Sequence, residues 1–205
     1  LAKDENLDVQ AQVAVNPNTP VSVVEELLQS RSRTIHMVVA QSLNTTSATL
    51  EQLAKDEDRY VRSRVAGNPN TTSATLERLA QDWDDGVRSR VAGNPNITAA
   101  ALEQLRDDEN SQVQTLSIGN PNTSASDLDA LAHGTVRARM AVAMHPNTPV
   151  ATLEQMAQDS HEHVRQRVAE NPNTPADTVC ALLAHNAVVL GGVQARRGDD
   201  HDDRY

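Results

Sequence analysis

Apolar residues recur along this chain in two short stripes per repeat, and polar turns separate them. Between Asn68 and Ala92, Leu76 and Leu79 stand three apart with Ala80 beside them. An acidic run from Asp82 to Asp85 follows, and then Val87, Val91 and Ala92. Spacings of three and four put such residues on one face of a helix. Nothing alternates with the strand period of two over any useful length, so no sheet is expected. Between the stripes the chain writes Val65-Ala66-Gly67-Asn68-Pro69-Asn70-Thr71, then Val91-Ala92-Gly93-Asn94-Pro95-Asn96-Ile97, and again Val168-Ala169-Glu170-Asn171-Pro172-Asn173-Thr174. Looser copies begin at Asn16, Ser42, Asn120 and His145. The turns therefore start at 16, 42, 68, 94, 120, 145 and 171, in steps of 26 residues with a single step of 25. The missing residue falls around His133-Gly134-Thr135. A fixed period of this size means a solenoid, in which each unit buries its apolar face on its neighbours.

Each unit reads as helix, acidic turn, second helix, Asn-Pro-Asn turn. Asn68 precedes a proline, which pushes it out of the α region and ends the helix before it. Thr71 is a good N-cap for the next helix, and in Thr19-Pro20, Thr148-Pro149 and Thr174-Pro175 a proline follows at the favoured first helical position. Asp82 is placed to cap the second helix, with counterparts Asp4, Asp56, Asp108 and Asp159. That second helix is short, about two turns, and spacing alone leaves α and 3₁₀ both open.

Composition narrows the class. Only 1% of the residues are aromatic, none of them Phe, so the core must be built from Leu, Val, Ala and Ile in thin stacked layers. A net charge of -10 argues against a general nucleic-acid binder and against an anionic membrane surface, both of which demand a basic face. The single cysteine, Cys180, excludes an intrachain disulfide framework. No run approaches a membrane span and no secretory pattern opens the chain, which reads as a soluble cytoplasmic protein. Leu1-Ala2-Lys3-Asp4-Glu5 matches Leu53-Ala54-Lys55-Asp56-Glu57, so the chain opens in mid-repeat, as a fragment would, with no polar cap written there. The expected organisation is a helical solenoid over 1–184, its first repeat truncated. A degenerate cap over 185–195 and a flexible charged tail over 196–205 follow.

These repeats resemble the leucine-rich repeat variant family, which repeats Val-Arg, Val-Ala, Asn-Pro-x-Thr-Pro and Leu-x-x-Leu-Ala in order. Val61-Arg62, Val65-Ala66, Asn68-Pro69, Leu76 and Leu79-Ala80 match in register, as do Val164-Arg165, Val168-Ala169, Asn171-Pro172, Thr174-Pro175 and Leu182. The resemblance implies a right-handed superhelix of about seven units alternating α- and 3₁₀-helices, all-α with no β-sheet. It implies neither enzymatic activity nor a particular partner. The cysteine-rich iron–sulfur domain of some members is not carried over, so no cofactor is expected.

Two columns could carry function. Arg62, Arg88, Arg139 and Arg165 form one and Arg64, Arg90 and Arg167 another, interrupted by His36 and Gln114 in the first and by Val38 and Leu116 in the second. Carboxylates at Glu51, Glu77 and Glu103, with Glu25, Asp129 and Glu154, line the first helices. One reading is a surface lattice of ion pairs, each worth under about 1 kcal/mol; the other is a patterned face that docks a protein or peptide. A nucleic-acid-binding solenoid using the arginines, and a structural spacer within a larger protein, are the alternatives. Self-association through the uncapped first repeat is a further expectation. Asn18, Asn44, Asn70, Asn96, Asn122, Asn147 and Asn173 form a ladder that bonds backbone groups of stacked turns, framework rather than site. His161-Glu162-His163 lacks a third metal ligand, and Cys180 lacks a base. Tyr60 and Trp83, in loops of adjacent repeats, are expected to pack over a loop, with an exposed binding anchor as the alternative.

Overall fold

The computed structural model describes residues 2–30 and 32–184, and all regular structure among them is helical. The cap expected over 185–195 and the tail over 196–205 lie outside the described residues. The chain divides into two compact units, Leu1–Thr123 and Ser124–Tyr205.

In the first unit the second helices of successive repeats are α1 (Leu7–Val15), α3 (Arg33–Gln41), α5 (Arg59–Ala66), α7 (Asp85–Ala92) and α9 (Ser111–Ile118). The first helices between them are α2 (Val21–Leu27), α4 (Ser47–Leu53), α6 (Ser73–Leu79) and α8 (Ala99–Arg106). The second helices pack on one another in chain order, and each first helix packs against the two second helices that flank it. The second unit repeats the scheme with α10 (Ala125–Leu131), α11 (Val136–Met144), α12 (Val150–Met156) and α13 (Glu162–Glu170), α11 packing on α13. A further helical stretch covers 176–184.

The core is the pair of stripes. Leu50 and Leu53, Leu76 and Leu79, Leu102 and Leu105 are buried from the first helices, and Val61 with Val65 and Val87 with Val91 from the second. Both helices of a described repeat are α, and the second is not the shorter: α5 and α7 have eight residues and α4 and α6 have seven. The valines stand four apart, and the α bond from Gly67 N–H to the Ser63 carbonyl closes that helix in the same register. Bonds of the 3₁₀ type, three residues back, appear where the first helix ends, as from Asp82 N–H to the Leu79 carbonyl.

Two caps fall elsewhere than expected. Thr72, not Thr71, caps α6, accepting from Thr75 N–H, and Thr46 does the same for α4. Thr71 is fully buried and its hydroxyl donates to the Val65 carbonyl six residues back. Its counterparts Thr19, Thr45, Thr123, Thr148 and Thr174 make the same bond. A buried hydroxyl must find an acceptor, and the carbonyl at the end of the preceding helix is the one within reach. Pro20 and Pro149 accordingly sit at the N-cap itself rather than inside the helix. In the acidic turn the cap of α7 is Asp84, not Asp82, and that of α5 is Asp58.

Candidate functional site

What holds successive turns together is a double amide ladder. The outer amides donate to the turn before: Asn70 Nδ2 to the Leu43 and Thr45 carbonyls, and Asn122 Nδ2 to those of Pro95 and Ile97. Asn96 Nδ2 reaches the Thr71 carbonyl at 3.2 Å, and Asn44 Nδ2 the Asn16 carbonyl at 2.8 Å. In the second unit Asn173 Nδ2 donates to the Pro146 carbonyl, and Asn147 N–H donates to Nδ1 of His145. Asn18 is exposed, its own N–H donating to Asn16 Oδ1.

The inner ladder escaped the sequence reading, in which Asn68 served only to stop a helix. Asn68 is buried and donates Nδ2 to the Ala40 and Ser42 carbonyls at 2.8 and 3.0 Å, while its Oδ1 accepts from Asn70 N–H. Asn94, Asn120 and Asn171 repeat the double donation to the turn before. The recurrence of Asn before Pro was the available signal.

The first arginine column is part of the same framework. Arg62 is buried, and its Nε and Nη2 fork onto Asp82 at 2.6 and 3.0 Å, while Nη1 donates to the Asp56 and Glu57 carbonyls. Arg88 forks onto Asp108 and Arg139 onto Asp159 with the same 2.6 Å first contact. The Arg62 and Asp82 side chains are each only 7% exposed. Arg62 and Arg88 are therefore buried in the framework rather than laid out as a surface lattice, and the carboxylates of all three forks are the acidic-turn aspartates rather than Glu51, Glu77 and Glu103. In each pair the acid lies 20 residues beyond the base, in the next repeat. His36 keeps the pattern with Asp56, Nδ1 at 2.8 Å from the carboxylate and Nε2 at 2.9 Å from the Ser30 carbonyl. In two slots where the residue 20 further on is not acidic the base is replaced by glutamine, Gln10 with Ser30 and Gln114 with Gly134, whereas Arg165, with His185 at that distance, keeps its arginine. Arg165 donates Nη1 to the Asp159 and Ser160 carbonyls, and its Nε has no partner among the described residues.

The forks shape the titration of their acids. Burial pushes the Asp108 carboxyl up, but the Arg88 fork and the Asn110 backbone N–H outweigh it and hold the group below the ordinary carboxylate range. Asp159 is held down in the same way, burial being outweighed by Arg139 and the His161 N–H.

The second column stands differently. Arg64 and Arg90 make no ion pair among the described residues, Arg64 half-buried and Arg90 exposed, while Arg167 pairs with Glu170 at 2.8 Å. Glu51, Glu77 and Glu103 are exposed on α4, α6 and α8; Glu77 accepts from the Thr98 hydroxyl and Glu103 meets Arg106 at 3.4 Å.

Both described aromatics lie outside the core. Tyr60 is the second residue of α5, not a loop residue, with the Arg33 and Arg59 guanidinium groups 5.0 and 4.9 Å from its ring centre. Trp83 is 72% exposed in the acidic turn, its ring 5.3 Å from the Arg62 guanidinium that lies beneath it. His161 caps α13, its Nδ1 accepting from His163 N–H, and no group of three or more metal-binding side chains occurs among the described residues. Cys180 is exposed. No described helix is long and apolar enough to cross a membrane.

Stacked helix pairs tied by side-chain ladders define an all-α repeat solenoid. Residues 136–161, one full repeat, match the family model of the leucine rich repeat variant. A solved structure described as "a leucine-rich repeat variant with a novel repetitive protein structural motif" is similar in fold, with a TM-score of 0.59 and 20% identity over 89% of this chain and 88% of that one. No curated protein matches. The pattern of the matched repeat recurs along the chain, which is thus similar to the leucine-rich repeat variant in one repeat by sequence and over most of its length in fold.

Proposed function

We propose that this protein is a non-enzymatic scaffold that docks another protein or peptide. The observation that supports this reading is the position of its aromatic side chains. The chain has one Trp and two Tyr, and both described members, Trp83 and Tyr60, are held in solvent over arginines of adjacent repeats. Tryptophan, tyrosine and arginine are the residues in which interface energy concentrates, and a guanidinium under a ring fixes it before a partner arrives. A phosphate-binding track along the first arginine column is disfavoured, because Arg62, Arg88 and Arg139 are engaged in carboxylate forks. Affinity capture from lysate with the wild type and with Trp83→Ala/Tyr60→Ala tests the reading. A protein retained by the wild type and lost from the variant, at unchanged helical content, is expected. The same proteins on both, or none on either, would count against docking.

A further inference from the structure

Arg64 and Arg90 lie at one position of α5 and α7, and beside them the groove carries an unexplained recess. Gly67, Gly93 and Gly119 end α5, α7 and α9 with φ of -86°, -86° and -77°, ordinary right-handed backbone open to any residue. Space does not demand glycine either: a Cβ on Gly67 would meet only ordinary contacts, the nearest side-chain atom being Arg90 Cδ at 3.6 Å. The same slot holds Val15, Gln41, Met144 and Glu170 in other repeats, each at the last position of its helix. Neither backbone nor packing calls for three glycines in a row. What they leave is room for something outside the chain to approach the backbone closely.

A groove of about 220 Å³ opens there, lined by Gln41, Leu43, Ser63, Arg64, Gly67 and Arg90 among others, with no carboxylate in its wall. In a chain of net charge -10 this wall carries two guanidinium groups that no described acid neutralises. The other arginines described here in α3, α5 and α7, namely Arg33, Arg59, Arg62 and Arg88, each reach an aspartate. Leu43, 70% exposed, adds an apolar contact at the rim.

We infer that this groove binds an extended acidic segment of a partner protein, its carboxylates on Arg64 and Arg90 and its backbone over Gly67. The inference rests on the docking reading above. Adjacent packed helices lie roughly 8–10 Å apart, and a chain extended as polyproline II rises about 3.1 Å per residue with three residues per turn, so that every third side chain lies on one side. Two carboxylates about three residues apart therefore match the two arginines. Arginine favours the planar oxygens of a carboxylate through paired, charge-assisted hydrogen bonds. Because the whole chain is acidic, attraction is confined to the groove, and the contact weakens as salt screens it.

The test is fluorescence anisotropy with a dye-labelled peptide carrying Glu-Ala-Ala-Glu and a control with Gln-Ala-Ala-Gln. The wild type binds the first and not the second. Arg64→Gln/Arg90→Gln weakens binding about tenfold or more, the loss of at least one charge-assisted contact. Gly67→Gln does the same with melting unchanged, since Gln41 already fills that slot one repeat earlier. Equal binding by wild type and both variants overturns the inference, as does no binding by the wild type. Displacement of the peptide by a short oligo-dT at lower concentration than by unlabelled peptide overturns it in favour of phosphate. Capture of a partner through Trp83 and Tyr60 that ignores Gly67→Gln would leave the docking reading standing and sink this groove alone.

Discussion

At the scale of the residue, the two asparagines of one turn are unequal. Asn94 is buried with three backbone partners, so Asn94→Ala strands the Ala66 carbonyl and the Asn96 N–H, while the Asn68 carbonyl keeps the Thr71 N–H. A buried unsatisfied group costs about 1–3 kcal/mol, and a loss of about 3 kcal/mol in a urea melt is expected. Asn70→Ala, on the outer ladder, is expected to cost about 1 kcal/mol in the same melt, the net worth of a typical hydrogen bond. The ladder was legible in the sequence as a recurring Asn, but its ranking was not. Repetition marks both positions alike, and only burial separates them. The arginine columns failed for a similar reason. Arg62 and Arg64 look equivalent on a helical wheel, and the clue lay 20 residues away, in the presence of Asp82, Asp108 and Asp159 where the base is arginine. Asp82→Ala leaves the Arg62 charge buried and unpaired, for an expected loss of about 3–5 kcal/mol. Glu51→Ala, at an exposed carboxylate, stays within about 0.5 kcal/mol in the same denaturation.

At the scale of the element, the apolar stripes were read in register because spacing of three and four leaves few alternatives. Leu79→Ala, at a side chain 2% exposed, is expected to cost about 2–5 kcal/mol. Helix starts were missed by one or two residues. Two adjacent threonines, Thr71 and Thr72, are both plausible caps, and the choice is made by a carbonyl in the preceding helix that local sequence does not reveal. Thr72→Ala removes the cap of α6 for about 1 kcal/mol. Thr71→Val keeps the shape, loses one donor to Val65 and costs a similar amount. The chain makes this replacement itself at Ile97, a turn that folds without the hydroxyl. Thermal melts of the two variants with far-ultraviolet circular dichroism check both values.

At the scale of the whole molecule, stability is divided between thin apolar layers and the polar ladders that tie them. The layers respond weakly to pH. The forks do not, because Asp108 and Asp159 titrate below the ordinary carboxylate range when folded. A carboxyl depressed in the folded state stabilises above its unfolded value, near 4, and that contribution is lost as pH falls through the depressed value. Urea midpoints are therefore expected to hold from pH 7 down to about 5 and to drop below about 4. Asp108→Asn/Asp159→Asn should be less stable at pH 7 and lose less on acidification; parallel curves would mean the forks contribute little.

The division between the two arginine columns carries the account, and one comparison tests it most directly: urea denaturation of Arg88→Gln beside Arg90→Gln. The substitutions are two residues apart on one helix, with identical chemistry. Arg88 is buried on Asp108, and its loss should cost about 3 kcal/mol or more. Arg90 has no described acid, and its loss should cost less than about 0.5 kcal/mol. Equal losses, or the reverse order, would contradict a solenoid built on one column and left open at the other.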